Sequence, residues 1–149
     1  MNKSETDFLL VDGRILDGLG NAAFDGSVLV EAGRISRVYA TGETIDLPES
    51  LRRVDVAGMT IMPGLIDAHC HISFDEPSSN DELFFHRREG LAAIIAARNV
   101  QKLLRAGVTG FMDPDSLAEI GIDLRDAIEA GIIHGPRMSA GGNALLTSV

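Results

Sequence analysis

The chain has 149 residues, of which 45% are hydrophobic and 23% charged, a balance that supports a packed core and excludes wholesale disorder. With 13 basic against 22 acidic residues, the net charge of −9 argues against nucleic acid and anionic membranes as partners, since both need basic surface. The longest near-continuous apolar run, residues 91–97, falls far short of the ~18 needed to cross a bilayer.

The opening residues carry Glu5 and Asp7 where a secretory signal wants an apolar stretch. The single cysteine, Cys70, has no partner for an internal disulfide. A soluble, cytoplasmic protein is the expectation. Up to residue 62, short apolar stretches alternate with turn signals. Residues 8–11, 15–16, 27–30, 34–39, 53–56 and 60–62 read as strands. Asp12-Gly13, Asp25-Gly26, Ala32-Gly33 and Ala57-Gly58 read as turns in which glycine takes the positive φ. Residues 27–38 form a hairpin signal, and residues 41–50, with Pro48, a polar loop. Residues 1–62 are thus predicted to form a small antiparallel β-unit.

From residue 63 the pattern changes to strand, long connection, helix, strand, helix, strand. In Pro63-Gly64-Leu65-Ile66-Asp67-Ala68-His69-Cys70-His71-Ile72, polar and apolar residues alternate with period two. That places Asp67, His69 and His71 on one strand face, and Ile66, Ala68, Cys70 and Ile72 on the other. Residues two apart on a strand lie about 6.6 Å apart with parallel side chains. Two imidazoles so placed can lean onto one divalent ion at about 2.0–2.1 Å per nitrogen.

Asp81 is the predicted N-cap of a helix reaching Arg105, with Gly90 as a point of interruption. Its apolar stripe is Ala93, Ala96, Ala97, Val100, Leu103 and Leu104. Gly107 ends it, and residues 108–112 read as the next strand. Leu117, Ile120, Leu124, Ala127 and Ile128 mark a second helical face closed by Gly131, and residues 137–140 a third strand. Such alternation implies right-handed crossovers and a parallel sheet. A complete (β/α)₈ barrel takes roughly 250 residues, and about 85 follow residue 62, enough for some two and a half β/α units. The expectation for residues 63–149 is an incomplete TIM barrel.

At this point the residues become recognisable. Gly33-Arg34-Ile35, then residues 54–58, then the Pro-Gly-x-x-Asp-x-His-x-His run of residues 63–71 resemble, in order, the N-terminal part of metal-dependent amidohydrolases. Residues 106–109, 124–128 and 135–137 extend the likeness toward the imidazolonepropionase-like and prolidase-like branch. The resemblance implies a composite β-sandwich beside a (β/α)₈ barrel, with one or two divalent metals, often zinc, at the barrel's C-terminal mouth. It makes His69 and His71 metal ligands. The remaining family ligands, a carboxylated lysine or glutamate, two histidines and an aspartate, come from later strands that have no counterpart here.

The resemblance implies a hydrolase of C–N bonds acting on a small amide or dipeptide-like substrate. No catalytic residue is assigned within this chain, and an N-terminal fragment of this kind is expected to be inactive alone. The alternative is a non-catalytic or split-enzyme subunit whose barrel is completed by a C-terminal partner chain, with a homo-oligomer also open. Asp67 is either a carboxylate that orients a metal ligand or a buried hydrogen-bonding residue near the barrel floor. Cys70 reads as packing volume. Asp113 and Asp115 stand where barrel enzymes place active-site loops, and Asp115-Ser116 also suits capping of the next helix. Residues 75–80 form a polar loop that either contacts substrate or is simply solvated, and Gly141-Gly142-Asn143 offers backbone flexibility suited to a substrate loop. His86 and His134 read as surface residues.

Overall fold

A computed structural model of the chain describes residues 7–75 and 77–143. It divides into two compact units between Pro63 and Gly64. The first is a five-stranded sheet built from β1 (Phe8–Ile15), β2 (Phe24–Glu31), β3 (Arg34–Ala40), β4 (Arg52–Asp55) and β5 (Thr60–Ile61). Its order is β3-β2-β1-β4, with β5 also pairing β1.

The antiparallel part is the β1–β2–β3 meander, whose β2–β3 turn has Ala32 at φ 49° and Gly33 at φ 73°. Two successive positive φ values make the primed turn that matches strand twist, which is why glycine stands there. The expectation of a purely antiparallel unit is corrected: β4 and β5 both run parallel to β1. The polar stretch after β3 carries the chain back to the start of β1 instead of folding it into another hairpin. Asp12-Gly13 and Asp25-Gly26 are also not turns. The first is a bulge within β1 and the second lies inside β2. Leu9, Leu29 and Tyr39 form a buried cluster, covered by Ile45 and Leu47 from the loop that looked merely polar and by Leu51 just after it.

The second unit is a parallel three-stranded sheet, β6 (Leu65–Asp67), β7 (Val108–Asp113) and β8 (Arg137–Ala140), in that order. Helix α1 (Glu89–Arg105) connects β6 to β7, and α2 (Ile120–Glu129) connects β7 to β8. Both helices bury their apolar stripes against the sheet. Ala92, Ala96 and Val100 of α1 meet Ile120 and Leu124 of α2, Phe111 of β7, Met138 of β8 and Ile72. Burial of each larger side chain here contributes about 1.5–3 kcal/mol.

The helix predicted from Asp81 breaks in two. A five-residue π-type turn, Glu82–His86, ends in extended Arg87, and α1 starts afresh after extended Arg88. Asp81 makes no side-chain cap. Ser79 does: its Oγ accepts the Glu82 amide at 3.1 Å, while Glu82 Oε2 accepts the Ser78 amide at 2.8 Å. The Ser79-Asn80-Asp81-Glu82 spacing gives the first half of a capping box, while the Glu82 carboxylate reaches one residue further back, to Ser78. Hydrogen bonds from the Ser78 amide and the Ser78 hydroxyl, with Arg87 adding to them, hold the Glu82 carboxyl below its ordinary range.

Candidate metal centre

Strand β6 is only three residues long, so the alternation expected through Ile72 is not carried by one strand. After Asp67 the backbone bends. The Asp67 Oδ1 atom accepts the His69 amide at 3.1 Å, a local side-chain bond that replaces a ladder bond. Sheet pairing resumes once, where the Cys70 amide donates to the Met112 carbonyl at 2.9 Å. The entry into β6 is equally tight. A Cβ on Gly64 would fall 2.1 Å from Thr109 Oγ1, so the glycine of the Pro-Gly pair is required by the neighbouring strand.

This path brings the two imidazoles together. His69 Nε2 lies 3.1 Å from His71 Nε2, with the rings edge to face and centroids 4.9 Å apart. Two nitrogens bound at 2.0–2.1 Å to one tetrahedral ion stand about 3.3 Å apart, so the pair has the spacing of two donors to a common cation. His69 is exposed and His71 half-buried, so an ion has access. Among the described residues no group of three or more His, Cys, Asp or Glu is arranged to hold an ion. The donor set therefore fits a divalent metal as a half-site.

Behind His71 stand two carboxylates at the C-terminal end of β7. Asp115 Oδ1 is 2.8 Å from His71 Nδ1, and the Asp115 carbonyl accepts from that nitrogen at 3.3 Å. The Oδ1 contact is close but not aligned as a hydrogen bond, and the atom is buried without another partner. Phe74 stacks on the His71 ring at 4.8 Å and 4°, and Phe84 meets Phe74 edge-on at 5.5 Å.

Asp113 is fully buried, and neither carboxylate oxygen has a well-formed hydrogen bond. Burial pushes its carboxyl up to about 6, against the pull of His71 and the nearby Ile72 amide and with a further push from Asp115. The start of α2 leaves it room. A Cβ on Gly121 would sit 2.9 Å from Asp113 Oδ2 and 2.8 Å from Ser116 Oγ. The capping expected of Asp115-Ser116 belongs to Ser116, whose Oγ accepts the Gly121 amide at 2.9 Å, while the Asp115 side chain turns to His71.

Asp67 touches the histidines only through the His69 backbone. Cys70 packs against the helical core, and burial, with Asp67 and Asp113 adding to it, raises its thiol above the ordinary range. His86 pairs with Asp81 at 2.9 Å on the surface, and the His134 carbonyl accepts from Gln101. Of the candidate loops, Asp75 is tied to Lys102 and Arg87, residue 76 lies outside the described residues, and the Gly142 carbonyl accepts the Ser116 amide. A separate cavity of about 790 Å³ is lined by residues of all three strands, including Asp67, Phe111 and Met138, but by neither histidine. The convergent polar groups are at the imidazoles.

Sequence reasoning placed the histidines at the end of the first parallel strand but did not foresee the contacts of Phe74 and Asp115 with His71, nor the bond from the Asn99 side chain to the Ile72 carbonyl. A polar residue two places beyond a barrel strand was the available signal for Asp115. Nothing local marks Asn99.

Comparison with known proteins identifies the class. The pattern described as the Amidohydrolase family matches residues 60–146, and the chain belongs to that family. The imidazolonepropionase of Vibrio cholerae serotype O1 is 29% identical over 103 residues, covering 68% of this chain and 24% of that protein. A crystal structure of a Xaa-Pro dipeptidase with methionine in its active site superposes with a TM-score of 0.81 at 25% identity, covering 94% of this chain and 34% of that one. Phenylurea hydrolase B superposes at 0.79 and 27% identity, covering 94% and 31%. The chain thus spans about a quarter to a third of the length of these relatives. The expected likeness to imidazolonepropionase-like and prolidase-like amidohydrolases is borne out.

Proposed function

We propose that this chain supplies the first two ligands of a metal-dependent hydrolase site acting on C–N bonds of small amide or dipeptide-like substrates. The observation that carries the reading is the 3.1 Å approach of His69 Nε2 and His71 Nε2 just beyond the first parallel strand. Family membership and likeness to an imidazolonepropionase and a Xaa-Pro dipeptidase support it. A divalent ion held there, zinc being the donor set's natural match, supplies Lewis acidity toward a carbonyl and a water.

The chain's own residues set the two histidines in place. His69 and His71 present neutral ring nitrogens, the Asp67 side chain fixes the His69 backbone, and Phe74 walls the His71 ring. Common catalytic zinc sites use three protein ligands, so the two histidines need further donors from outside the described residues. A general base has to come from there as well. In this reading residues 1–62 belong to a β-sandwich, residues 63–149 to an incomplete (β/α)₈ barrel, and the described residues alone are inactive.

A second reading, a subunit completed by a partner chain, finds support in the outer strands β6 and β8, each with one edge unpaired among the described residues. The test is zinc titration of the metal-free chain by calorimetry, beside an amide-hydrolysis assay. Zinc binding weakened about tenfold or more by His69→Ala and by His71→Ala is expected, without turnover. Binding unchanged in both variants would overturn the metal site, and turnover by the chain alone would overturn its incompleteness.

A further inference from the structure

We propose that Asp115 is a positioning residue for His71, holding its ring with the proton on Nδ1 so that the bare Nε2 faces His69. This rests on the metal-site reading for its purpose but not for its geometry. An imidazole has two nitrogens, and only the one without a proton can take a metal ion. Which one that is depends on what the other nitrogen meets.

On the Nδ1 side of His71 both neighbours are acceptors: the Asp115 carbonyl at 3.3 Å, which takes a hydrogen bond, and the Asp115 carboxylate at 2.8 Å, whose negative charge lies against that nitrogen off the hydrogen-bond line. Both are oxygens with no proton to give, so in the neutral ring Nδ1 is the donor and Nε2 the lone pair, which faces His69 Nε2 at 3.1 Å as an acceptor. The ring cannot rotate away from this contact easily, because Phe74 lies parallel to it at 4.8 Å and is itself buttressed by Phe84. The carboxylate is anchored from behind. The Ser116 amide binds the Gly142 carbonyl at 2.9 Å and the Leu117 amide binds Ser73 Oγ at 3.3 Å, which fixes the turn carrying Asp115 from both sides.

Asp115 does not serve the fold in an obvious second way. Its neighbour Ser116 caps α2, and the Asp115 side chain is about one-third exposed. His69 has no equivalent partner on its own ring besides His71 among the described contacts, so the two histidines are unequal: one is set, the other follows. The order of chain events is informative too. Asp115 comes 44 residues after His71, so this half of the site forms only when β7 docks beside β6.

The test uses long-range ¹H–¹⁵N correlation spectra of the full chain without metal, read at His71, together with zinc titration. The wild type is expected as the Nδ1–H tautomer. In Asp115→Ala, which keeps the carbonyl and loses the carboxylate, the Nδ1–H preference should weaken toward a mixture, zinc affinity should fall about tenfold, and the thermal midpoint should stay put. Asp115→Asn, which keeps an acceptor oxygen, should restore most of the tautomer preference. An Nε2–H tautomer in the wild type, or an unchanged tautomer in Asp115→Ala, would overturn the proposal. Should the histidine variants leave zinc binding untouched while Asp115→Ala still shifts the tautomer, the metal reading fails and the positioning role stands.

Discussion

Asn99 of helix α1 donates from Nδ2 to the carbonyl of Ile72 at 3.0 Å, joining the helix to the segment that follows His71. Its Oδ1 is buried without a partner. The bond crosses 27 residues and holds the histidine-bearing turn against the core, where Ile72 is almost fully buried.

Asn99→Ala should therefore cost about 1–2 kcal/mol, because the Ile72 carbonyl loses its donor in a dry setting. Urea unfolding followed by circular dichroism measures it. A midpoint equal to wild type would show that the bond carries no stability.

Asp113 gives a pH dependence of defined sign. Its folded-state value of about 6 lies above the ordinary 3.8, so between these the native chain holds more protons than the unfolded one. Stability from this group is then greatest below about pH 4, falls as pH rises through the window, and the full penalty remains above about pH 7. Asp113→Asn should raise stability at pH 7.5 by about 1–3 kcal/mol and change little at pH 4. Denaturation series at both pH values, with chelator present, decide it; an equal effect at the two would refute ionisation as the cause.

Gly121→Ala places a methyl against Asp113 Oδ2 and Ser116 Oγ at under 3.0 Å. Helix propensity alone would favour alanine by up to about 1 kcal/mol, yet overpacking costs about 1–3 kcal/mol. We expect net destabilisation, visible as a lower melting temperature. Stabilisation would mean that the α2 entrance yields at little cost.

Cys70 should alkylate slowly in the folded chain, since its thiol is raised by burial and by the Asp67 and Asp113 carboxylates. At pH 8, iodoacetamide should modify it about tenfold more slowly than in urea-unfolded chain, as followed by intact mass. Equal rates would place the sulfur in open solvent.

The legible parts of the fold were those set by local pattern. The Ala93–Val100 stripe and the Leu124–Ile128 face announce helices because their period of 3.6 leaves no other way to bury them. The β2–β3 hairpin is written in Ala32-Gly33, where two positive φ values are needed. Asp12-Gly13 and Asp25-Gly26 carry the same signature yet lie within strands, since a bulge and a strand interior also accept glycine. The Asp81 cap failed because Ser79 takes the Glu82 amide and the Asp81 carboxylate pairs with His86 instead.

By itself the sequence determined the order of elements, the identity of the two imidazoles and the family they belong to, because each depends on neighbours a few residues away. Only the tertiary structure decided that β4 runs parallel to β1, that β6 ends at Asp67, and that Asp115 rather than Asp67 meets the His71 ring. Those outcomes depend on which segments dock side by side across tens of residues. Chain periodicity carries no record of a contact made at such separation, so the docking of β7 on β6 had to be seen.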